Sequence, residues 1–495
     1  MDKKKIKTIA EACSALKACK LPYGKVAVTD MDGILRGKYI SKKKLLSALK
    51  DGFGFCDVIL GWDSNDQIYD DIKYTGWSSG FPDAHVMPIP ETARFIPFEN
   101  DLLFFLAEFY GNASKLCPRS ILKKVIKKSE TLGFSALAGA EYEYFLFQET
   151  PETVRAKNYR NLVPFTPGNF GYSVIRNSVH SDFHNEFLEM CELIDIPLEG
   201  YHTETGPGVL EAALAPDCIL DAADKATLFK TFTKIFAQRR ELMATFMAKW
   251  SKEHPGQSGH IHLSLKNEEK QNIFFDSSKP LNMSDEMRWF IGGQQKLMPE
   301  LIAMVAPTIN SYRRLIPNYW APIDNSWDID NRTASLRVIL GPPTSQRVEY
   351  RLASADSNPY LAMSVALGSG LWGIENKIEP TKSISEAAEK RGTEAEKDFQ
   401  TKVAEAQTLL NLQRDFNKEL ERQTIIKAPV DELNRLLDPL IQIDALGKSI
   451  GDSFSESFKG IIKGSMTAQE ALRNLFQRTA DHFADMAAQM LAAQI

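Results

Sequence analysis

GAEYEYFLF (139–147), SGHIHLSL (258–265) and RVEYRLA (347–353) decide how this chain reads. Each alternates with the two-residue period of a β-strand, in which side chains i and i+2 share a face. In the first, Glu141 and Glu143 lie opposite Tyr142, Tyr144 and Leu146. In the second, His260, His262 and Ser264 lie opposite Ile261, Leu263 and Leu265. In the third, Arg347, Glu349 and Arg351 lie opposite Val348, Tyr350 and Leu352. Each strand thus offers an apolar face to a core and a second face of Glu, His or Arg. A solvent-facing antiparallel sheet accounts for any one of them. It accounts poorly for His-x-His beside Gly259, because the chain has only 8 histidines. Two of them on one strand face suit a metal or phosphate role.

Further carboxylates and arginines lie around these strands. HTETGPGVLEAAL (202–214) sets Glu204 and Glu211 on either side of a Gly-Pro-Gly turn, so one loop can present both. NSYRRLIP (310–317) carries Arg313 and Arg314, and DNRTASLRVI (330–339) carries Arg332 and Arg337. Gathered about one cavity, such groups need counter-ions: divalent cations for the carboxylates, phosphates for the arginines. Carboxylates with an imidazole suit Mg²⁺ or Mn²⁺ better than Zn²⁺. The chemistry implied is metal-assisted phosphoryl transfer from a nucleotide. The sequence holds neither a Walker-type phosphate loop nor a kinase glycine loop with its catalytic motif. The nucleotide site is therefore expected to be built from metal and arginine.

The chain has 495 residues and a formal net charge of −5, with 43% hydrophobic and 25% charged residues. These values describe a globular chain and exclude a strongly basic nucleic-acid binder and a disordered one. Cys13, Cys19, Cys56, Cys117, Cys191 and Cys218 are widely spaced, which reads as reduced thiols in a cytoplasmic protein. MDKKKIKTIA lacks the apolar segment of a secretory signal, and no apolar run approaches the ~18 residues of a membrane span. VAVTDMDGILRGKYI (26–40) predicts a hairpin and LLFFLAEFY (102–110) a buried strand, which makes 20–112 a small α+β domain. A larger unit, 113–495, starts with a helix at Pro118. It carries a loop over 151–170 and helices over 179–194, 218–250, 284–304 and 359–377. Strands are expected at 134–147, 261–266, 333–340 and 347–353, and a helical region over 377–495.

In order and spacing these segments resemble the glutamine synthetase family from about residue 20 to Tyr360. The resemblance implies an α+β fold: a small N-terminal β-grasp domain and a large C-terminal antiparallel, barrel-like catalytic domain with helices. It implies hexameric rings, stacked as homododecamers, with each active site between neighbouring subunits. It implies ATP as a substrate and two or more Mg²⁺ or Mn²⁺ ions per site. Glutamate is activated as an acyl phosphate, which an amine then attacks. Carried over by position, Glu143, Glu204 and Glu211 match one set of metal ligands, and Glu141, His260 and Glu349 the other. Arg314, Arg351 and Gly256 match the glutamate site, and Arg332 matches the arginine facing the transferred phosphoryl group. Arg337, Arg347 and His262 match ATP-phosphate contacts, with Glu199 and Ser264 at the nucleotide.

Two segments depart from the ammonia-using members. Their flap carries Tyr-Glu-Ala-Pro; here NYWAP puts Trp320 at the glutamate's place. Tryptophan accepts no proton, but it packs against an alkyl or aryl group or over a cation; it can equally plug its loop into neighbouring structure. The Phe-Asp-Gly-Ser-Ser loop, whose aspartate reaches the next subunit's ammonium site, is replaced by FCDVILGWDSND, where Asp57 or Asp63 could serve. Tyr172 in FGYS matches the ammonium-site tyrosine. Together the segments look most like the γ-glutamyl-polyamine and γ-glutamylamide synthetase branch. The reading is a glutamate–amine ligase that uses an organic amine of polyamine, alkylamine or ethanolamine type. The alternatives are an ammonia-using glutamine synthetase with a divergent flap, a non-catalytic structural or regulatory homologue, and a small-molecule kinase.

Overall fold

A computed structural model of the chain describes residues 5–69, 72–317 and 319–385, all within one compact unit, 1–400. The expected helical region over 377–495 lies outside the described residues beyond residue 385. The six cysteines are all free thiols. Among the described residues no helix is long and apolar enough to cross a membrane.

The chain enters through helix α1 (Ile9–Ala18), whose Thr8 and Glu11 form a capping box. Strands β1 (Tyr23–Thr29) and β2 (Leu35–Ser41) pair as the expected antiparallel hairpin. Helix α2 (Lys42–Asp51) follows, then β3 (Phe53–Cys56), β4 (Asp83–Pro88), β5 (Arg94–Ile96) and β6 (Leu102–Phe109). The sheet order is β2-β1-β6-β4-β3, with β5 also paired to β6 and with β1 and β6 parallel. All eight residues of β6 are buried, as its unbroken apolar run requires.

The hairpin turn is held by Asp30, whose carboxylate accepts from the Asp32 and Ile34 amides at 3.0 and 2.8 Å. Gly33 closes it at φ +81°, and a Cβ there would stand 3.0 Å from Asn358 Cα. The turn thus needs glycine both for its backbone and for its contact with the catalytic sheet's surroundings.

Helix α3 (Pro118–Thr131) leads into β7 (Ser135–Phe147), the 13-residue spine of a second sheet. Short helices α4 (Pro151–Ala156) and α5 (Val174–Val179) and the longer α6 (Ser181–Leu193) come next. Then come β8 (Leu198–Thr203), β9 (Val209–Leu214), β10 (Asp217–Cys218), α7 (Ile219–Gln238), β11 (Met243–Thr245) and β12 (Gly259–Lys266). Helices α8 (Asp285–Val305) and α9 (Ile309–Arg314), strands β13 (Trp327–Ile329), β14 (Leu336–Ile339) and β15 (Arg347–Tyr350), and helix α10 (Pro359–Asn376) complete it. The path is β13-β14-β15-β12-β7-β9-β8, with β10 and β11 also on β7; only β13 and β14 pair in parallel.

The apolar strand faces meet α7. Tyr142 stacks on Phe229 at 6.2 Å, and Tyr144 packs against Phe246 at 5.4 Å. Helices α8 and α10 approach so closely that a Cβ on Gly293 would come within 2.4 Å of Gly373 Cα.

Several expected boundaries shift. The helix expected over 218–250 stops at Gln238, because Glu241 turns at φ +59° and Met243–Thr245 pairs with the end of β7. The stretch 151–170 is not loop throughout, since Thr150 caps a helix over Pro151–Ala156. The strand expected at 333–340 begins only at Leu336, because the Asn331 side chain accepts from the Thr333 amide and hydroxyl and holds a turn.

A buried ion network joins the two sheets' helices and strands. Arg119 on α3 donates to Asp224 on α7 at 2.9 and 3.0 Å and to Glu108 on β6 at 2.8 Å. The Tyr360 hydroxyl on α10 donates to Asp224 at 2.7 Å. Removing the cation would leave the buried Asp224 carboxylate with no cation against it, while Glu108 would keep Lys123 alone. Arg119→Ala is therefore expected to lower stability by about 3–5 kcal/mol in chemical denaturation; a change under about 1 kcal/mol would show that the network is not a joint of the fold.

Candidate active site

The register of the second sheet sets its polar residues side by side. Glu143 pairs with Glu211 across β7 and β9, and Glu141 with His260 across β7 and β12. Glu349 on β15 is flanked by His262 on β12 and Arg337 on β14. Beyond β9, His202 pairs with Glu211. A one-residue slip in any pair would turn that strand's polar face into the core.

This face opens on a cavity of about 600 Å³. Its walls include Glu141, Glu143, Glu204, Glu211, His260 and Glu349, together with Arg314, Arg332, Arg337 and Arg351. Tyr172, Gly256 and Trp320 also border it. A second cavity of about 320 Å³ is bordered by Glu199, His262, Ser264 and Arg347. Glu141 belongs to both, so the two adjoin at that side chain. Another cavity, about 660 Å³ beside Phe98 and Phe236, lies apart and holds none of these residues.

Asp57 and Asp63 are the exceptions among the expected residues. Asp57 is only 3% exposed and accepts the Thr75 hydroxyl at 2.6 Å. Asp63 closes its own turn, accepting the Asn65 and Gln67 amides at 2.8 and 2.9 Å. Neither borders the cavity of its own chain.

Glu349 is the most enclosed carboxylate. Burial works to raise it, but His260, Arg351 and His262 overcome that and hold it at about 2. His260 is itself neutral near pH 7, pulled down to about 4 by burial and by Arg351. The arginines therefore carry the compensation: Arg351 donates to one Glu349 oxygen and Arg337 to the other, the latter at 3.0 Å. Arg347 Nε donates to His262 Nδ1 at 3.1 Å, which leaves the His262 proton on Nε2, 3.4 Å from Glu141. Burial opposes ionisation of Glu141 too, yet His260 and His262 carry it well below the usual carboxylate range.

The other end of the cavity behaves oppositely. Burial, then Glu143, Glu141 and Glu204, push Glu211 up to about 10. Burial also raises Glu143, although Arg314 and the Ser258 amide oppose it. This surplus of carboxylate is what a divalent cation would relieve.

Among the described residues three groups bring their ligand atoms within 4.8 Å of one another, and two of them lie here: Glu141 with His262 and Glu349, and His202 with Glu204 and Glu211; the third, Asp217 with Cys218 and Asp221, borders neither cavity as a set. The first two are oxygen-rich sets with one imidazole, which fit Mg²⁺ or Mn²⁺. Glu143 and His260 border the cavity outside these tight sets; Glu143 is engaged by the Ser258 amide and His260 Nδ1 stands 3.3 Å from Glu349. Two buried wall atoms, Arg351 Nε and Ser258 Oγ, have no hydrogen-bond partner among the described residues, as expected of groups that meet a ligand.

His202 was missed in the sequence reading. Its Nε2 lies 3.2 Å from Glu204 and 3.9 Å from Glu211, and its ring stacks on Tyr172 at 4.4 Å and 11°. The signal was present: His202 lies near the end of β8, two residues before Glu204, which follows the strand just ahead of the Gly-Pro-Gly turn. Tyr172 is pinned by its amide to the Thr203 carbonyl at 2.7 Å and leaves its ring 68% exposed. Trp320 is 57% exposed at the cavity mouth, so its ring does not plug the loop, while its carbonyl accepts from Arg351 at 3.3 Å.

The chain as a whole resembles known proteins. Residues 115–430 match the family described as glutamine synthetase, catalytic domain. The chain is 45% identical over 368 residues to type-1 glutamine synthetase 2 of Dictyostelium discoideum, covering 74% of this chain and 70% of that one. It is 34% identical over 386 residues to glutamate–isopropylamine ligase of a Pseudomonas species, covering 77% and 84%. The solved GmaS–ADP complex superposes with a TM-score of 0.67 at 22% identity, over 84% of this chain and 99% of that one, a likeness of fold. The chain belongs to the glutamine synthetase family. It is an enzyme of the glutamate–amine ligase class that this family and its amine-using relatives define.

The raised Glu211 carboxyl gives a signed test. Between about 4.5 and 10 the folded chain holds a proton there that the unfolded chain has lost, so rising pH lowers stability. In the presence of chelator, Glu211→Gln should therefore gain thermal stability relative to the parent chain as pH rises from about 6 to 9. Mg²⁺ should raise the midpoint of the parent chain far more than that of the variant. Parallel pH profiles and equal responses to Mg²⁺ would contradict the assignment.

Proposed function

We propose that this enzyme joins the γ-carboxylate of glutamate to an organic amine, with ATP as the phosphoryl donor and γ-glutamyl phosphate as the intermediate. The observation that carries the reading is the continuous charged wall on which Glu141 connects an arginine- and carboxylate-lined cavity to a second cavity beside it. Its chemistry suits a phosphorylated nucleotide at one end and an amino acid at the other. Divalent cations held by the two carboxylate–imidazole sets, with Glu143 and His260 beside them, would neutralise the phosphates and polarise the transferring group.

The chain's own groups supply binding and alignment. Arg314 and Arg351 hold the carboxylates of glutamate, with the Gly256 backbone beside them. Arg332 faces the phosphoryl group in flight. Arg337, Arg347 and His262 meet the remaining phosphates, and Glu199 and Ser264 border the nucleoside. A γ-carboxylate oxygen of glutamate bonds to the terminal phosphorus of ATP, and ADP leaves with the electron pair of the broken P–O bond. The amine nitrogen then bonds to the carbon of the γ-carboxyl group, and phosphate departs with the electron pair of the C–O bond.

An alkylammonium has a pKa near that of lysine, ~10.4, so a carboxylate must take its proton before attack. Glu204, half-buried at the rim, fits that task, as does Asp63 of a neighbouring subunit in a ring assembly. Asp57 fits it less well, being sealed against Thr75. The exposed rings of Tyr172 and Trp320 would line the amine's substituent. The reading further takes 20–112 and 113–495 as two domains, subunits in hexameric rings or dodecamers, and a cytoplasmic setting for the six free thiols.

A second reading has one specific observation behind it: the 45% identical relative carries the name of a glutamine synthetase. There ammonia is the nucleophile. Phosphate release from ATP with glutamate plus ammonia, isopropylamine, ethanolamine or putrescine separates the two. We expect at least one organic amine to exceed ammonia in kcat/KM by about tenfold or more. Equal or better turnover with ammonia would overturn the organic-amine reading. Absence of phosphate release with every amine and with ammonia would support a non-catalytic homologue.

Arg332→Ala should lower kcat by about 10²–10³-fold with KM for glutamate little changed, because its contact is strongest with the phosphoryl group in transfer. A loss confined to glutamate binding would assign Arg332 to a different task.

A further inference from the structure

Arg314 reaches the cavity from the last residue of α9, and it is 2% exposed. Its Nη1 and Nη2 donate to the carbonyls of Leu352 and Arg351 at 3.1 and 3.0 Å. The fit is tight, since a Cβ on Gly256 would stand 2.7 Å from Arg314 Cγ. Small shifts of α9 against the segment after β15 would therefore move Arg314 relative to Arg351.

What sets that spacing lies at the other end of α9. Thr308 and Ser311 form a capping box in which each hydroxyl accepts the other residue's amide at 3.1 Å. Each hydroxyl still has its proton to donate, and both face Asp356. Thr308 Oγ1 stands 2.9 Å and Ser311 Oγ 2.8 Å from Asp356 Oδ2. The Ser354 hydroxyl meets Oδ1 of the same carboxylate. Asp356 thus ties the start of α9 to the chain segment that carries Arg351 and the carbonyls on which Arg314 rests.

The segment is anchored in turn. The Lys230 ammonium donates to the Ser357 carbonyl at 2.7 Å, and the Asn358 amide donates to the Met31 carbonyl in the first sheet's hairpin at 3.0 Å. The clamp therefore stands on helix α7 and on the first sheet's hairpin turn.

We propose that Asp356 is a positioning residue of the glutamate pocket: by orienting the Thr308–Ser311 cap it holds Arg314 in register with Arg351. This rests on the reading of Arg314 as a glutamate contact. Asp356 borders neither cavity; Asn310 ties the same helix to the Lys249 backbone, and Asp356 ties the start of the helix to the segment that carries Arg351. The effect should appear as misplacement of one arginine rather than loss of the site.

The test is steady-state kinetics of the whole enzyme with its best amine, run alongside thermal denaturation. Asp356→Asn should raise KM for glutamate about tenfold, with KM for ATP within about twofold and kcat within about threefold. Ser311→Ala, which keeps the carboxylate but removes one donor, should raise KM for glutamate in the same direction by a smaller factor. It carries the test if the Asp356 variant does not fold. Arg314→Ala is the benchmark, with a larger rise still. Lowered melting temperatures with KM for glutamate unchanged in both clamp variants would overturn the proposal while leaving Arg314 in place. An equal rise in KM for ATP would also overturn it, by showing a general loss of order. If Arg314→Ala leaves KM for glutamate unchanged, the reading of Arg314 itself fails, and the clamp proposal with it.

Discussion

The enclosed Glu349 carboxylate, held between Arg351 and Arg337 on the polar face of the second sheet, is the interaction on which the rest of the site depends. An ionised carboxylate that is almost wholly buried is tolerated only where cations sit against it in good geometry. Those cations come from β14 and from the residue after β15, so the pair is satisfied only in the observed strand register. The same register lines up Glu141, His260 and His262 beside it, and Glu143 against Glu211 further along β7. Correct pairing of the sheet and assembly of the site are thus one event.

The face is not uniformly balanced. At the Glu349 end the carboxylates are held low by arginine and imidazole; at the Glu211 end mutual repulsion and burial hold protons on. A gradient of this kind leaves the second end in greater need of a divalent cation than the first. It also explains why a net charge of −5 says nothing of the site: carboxylates and arginines gather in comparable number about one cavity and largely cancel.

The polar strand faces were legible in the sequence because their two-residue period survives folding unchanged. Spacing placed Glu141, His260 and Glu349 each on the polar face of its own strand, and the family resemblance brought them together. Other features were less visible. His202 was passed over because one histidine two residues before a glutamate is a weaker signal than the repeated His-x-His of β12. The end of α7 was extended too far because the helical pattern runs on into Met243–Thr245, which β7 takes as a strand partner. Asp57 looked available in the sequence, but Thr75, 18 residues away, claims its carboxylate. Each failure is tertiary: a partner distant in sequence decides what a locally ambiguous residue does. The tie from Asn358 to the first sheet's hairpin is of the same kind, and it makes the small sheet part of the support for the site.

The proposed acyl phosphate requires one oxygen of glutamate to leave with phosphate. The direct measurement is turnover with ATP, amine and glutamate labelled with ¹⁸O in its γ-carboxylate, followed by mass analysis of the released phosphate. One ¹⁸O atom is expected in each phosphate, since the bond formed to phosphorus uses a carboxylate oxygen and the amine later displaces it. Unlabelled phosphate, released at the same rate as the amide forms, would contradict it.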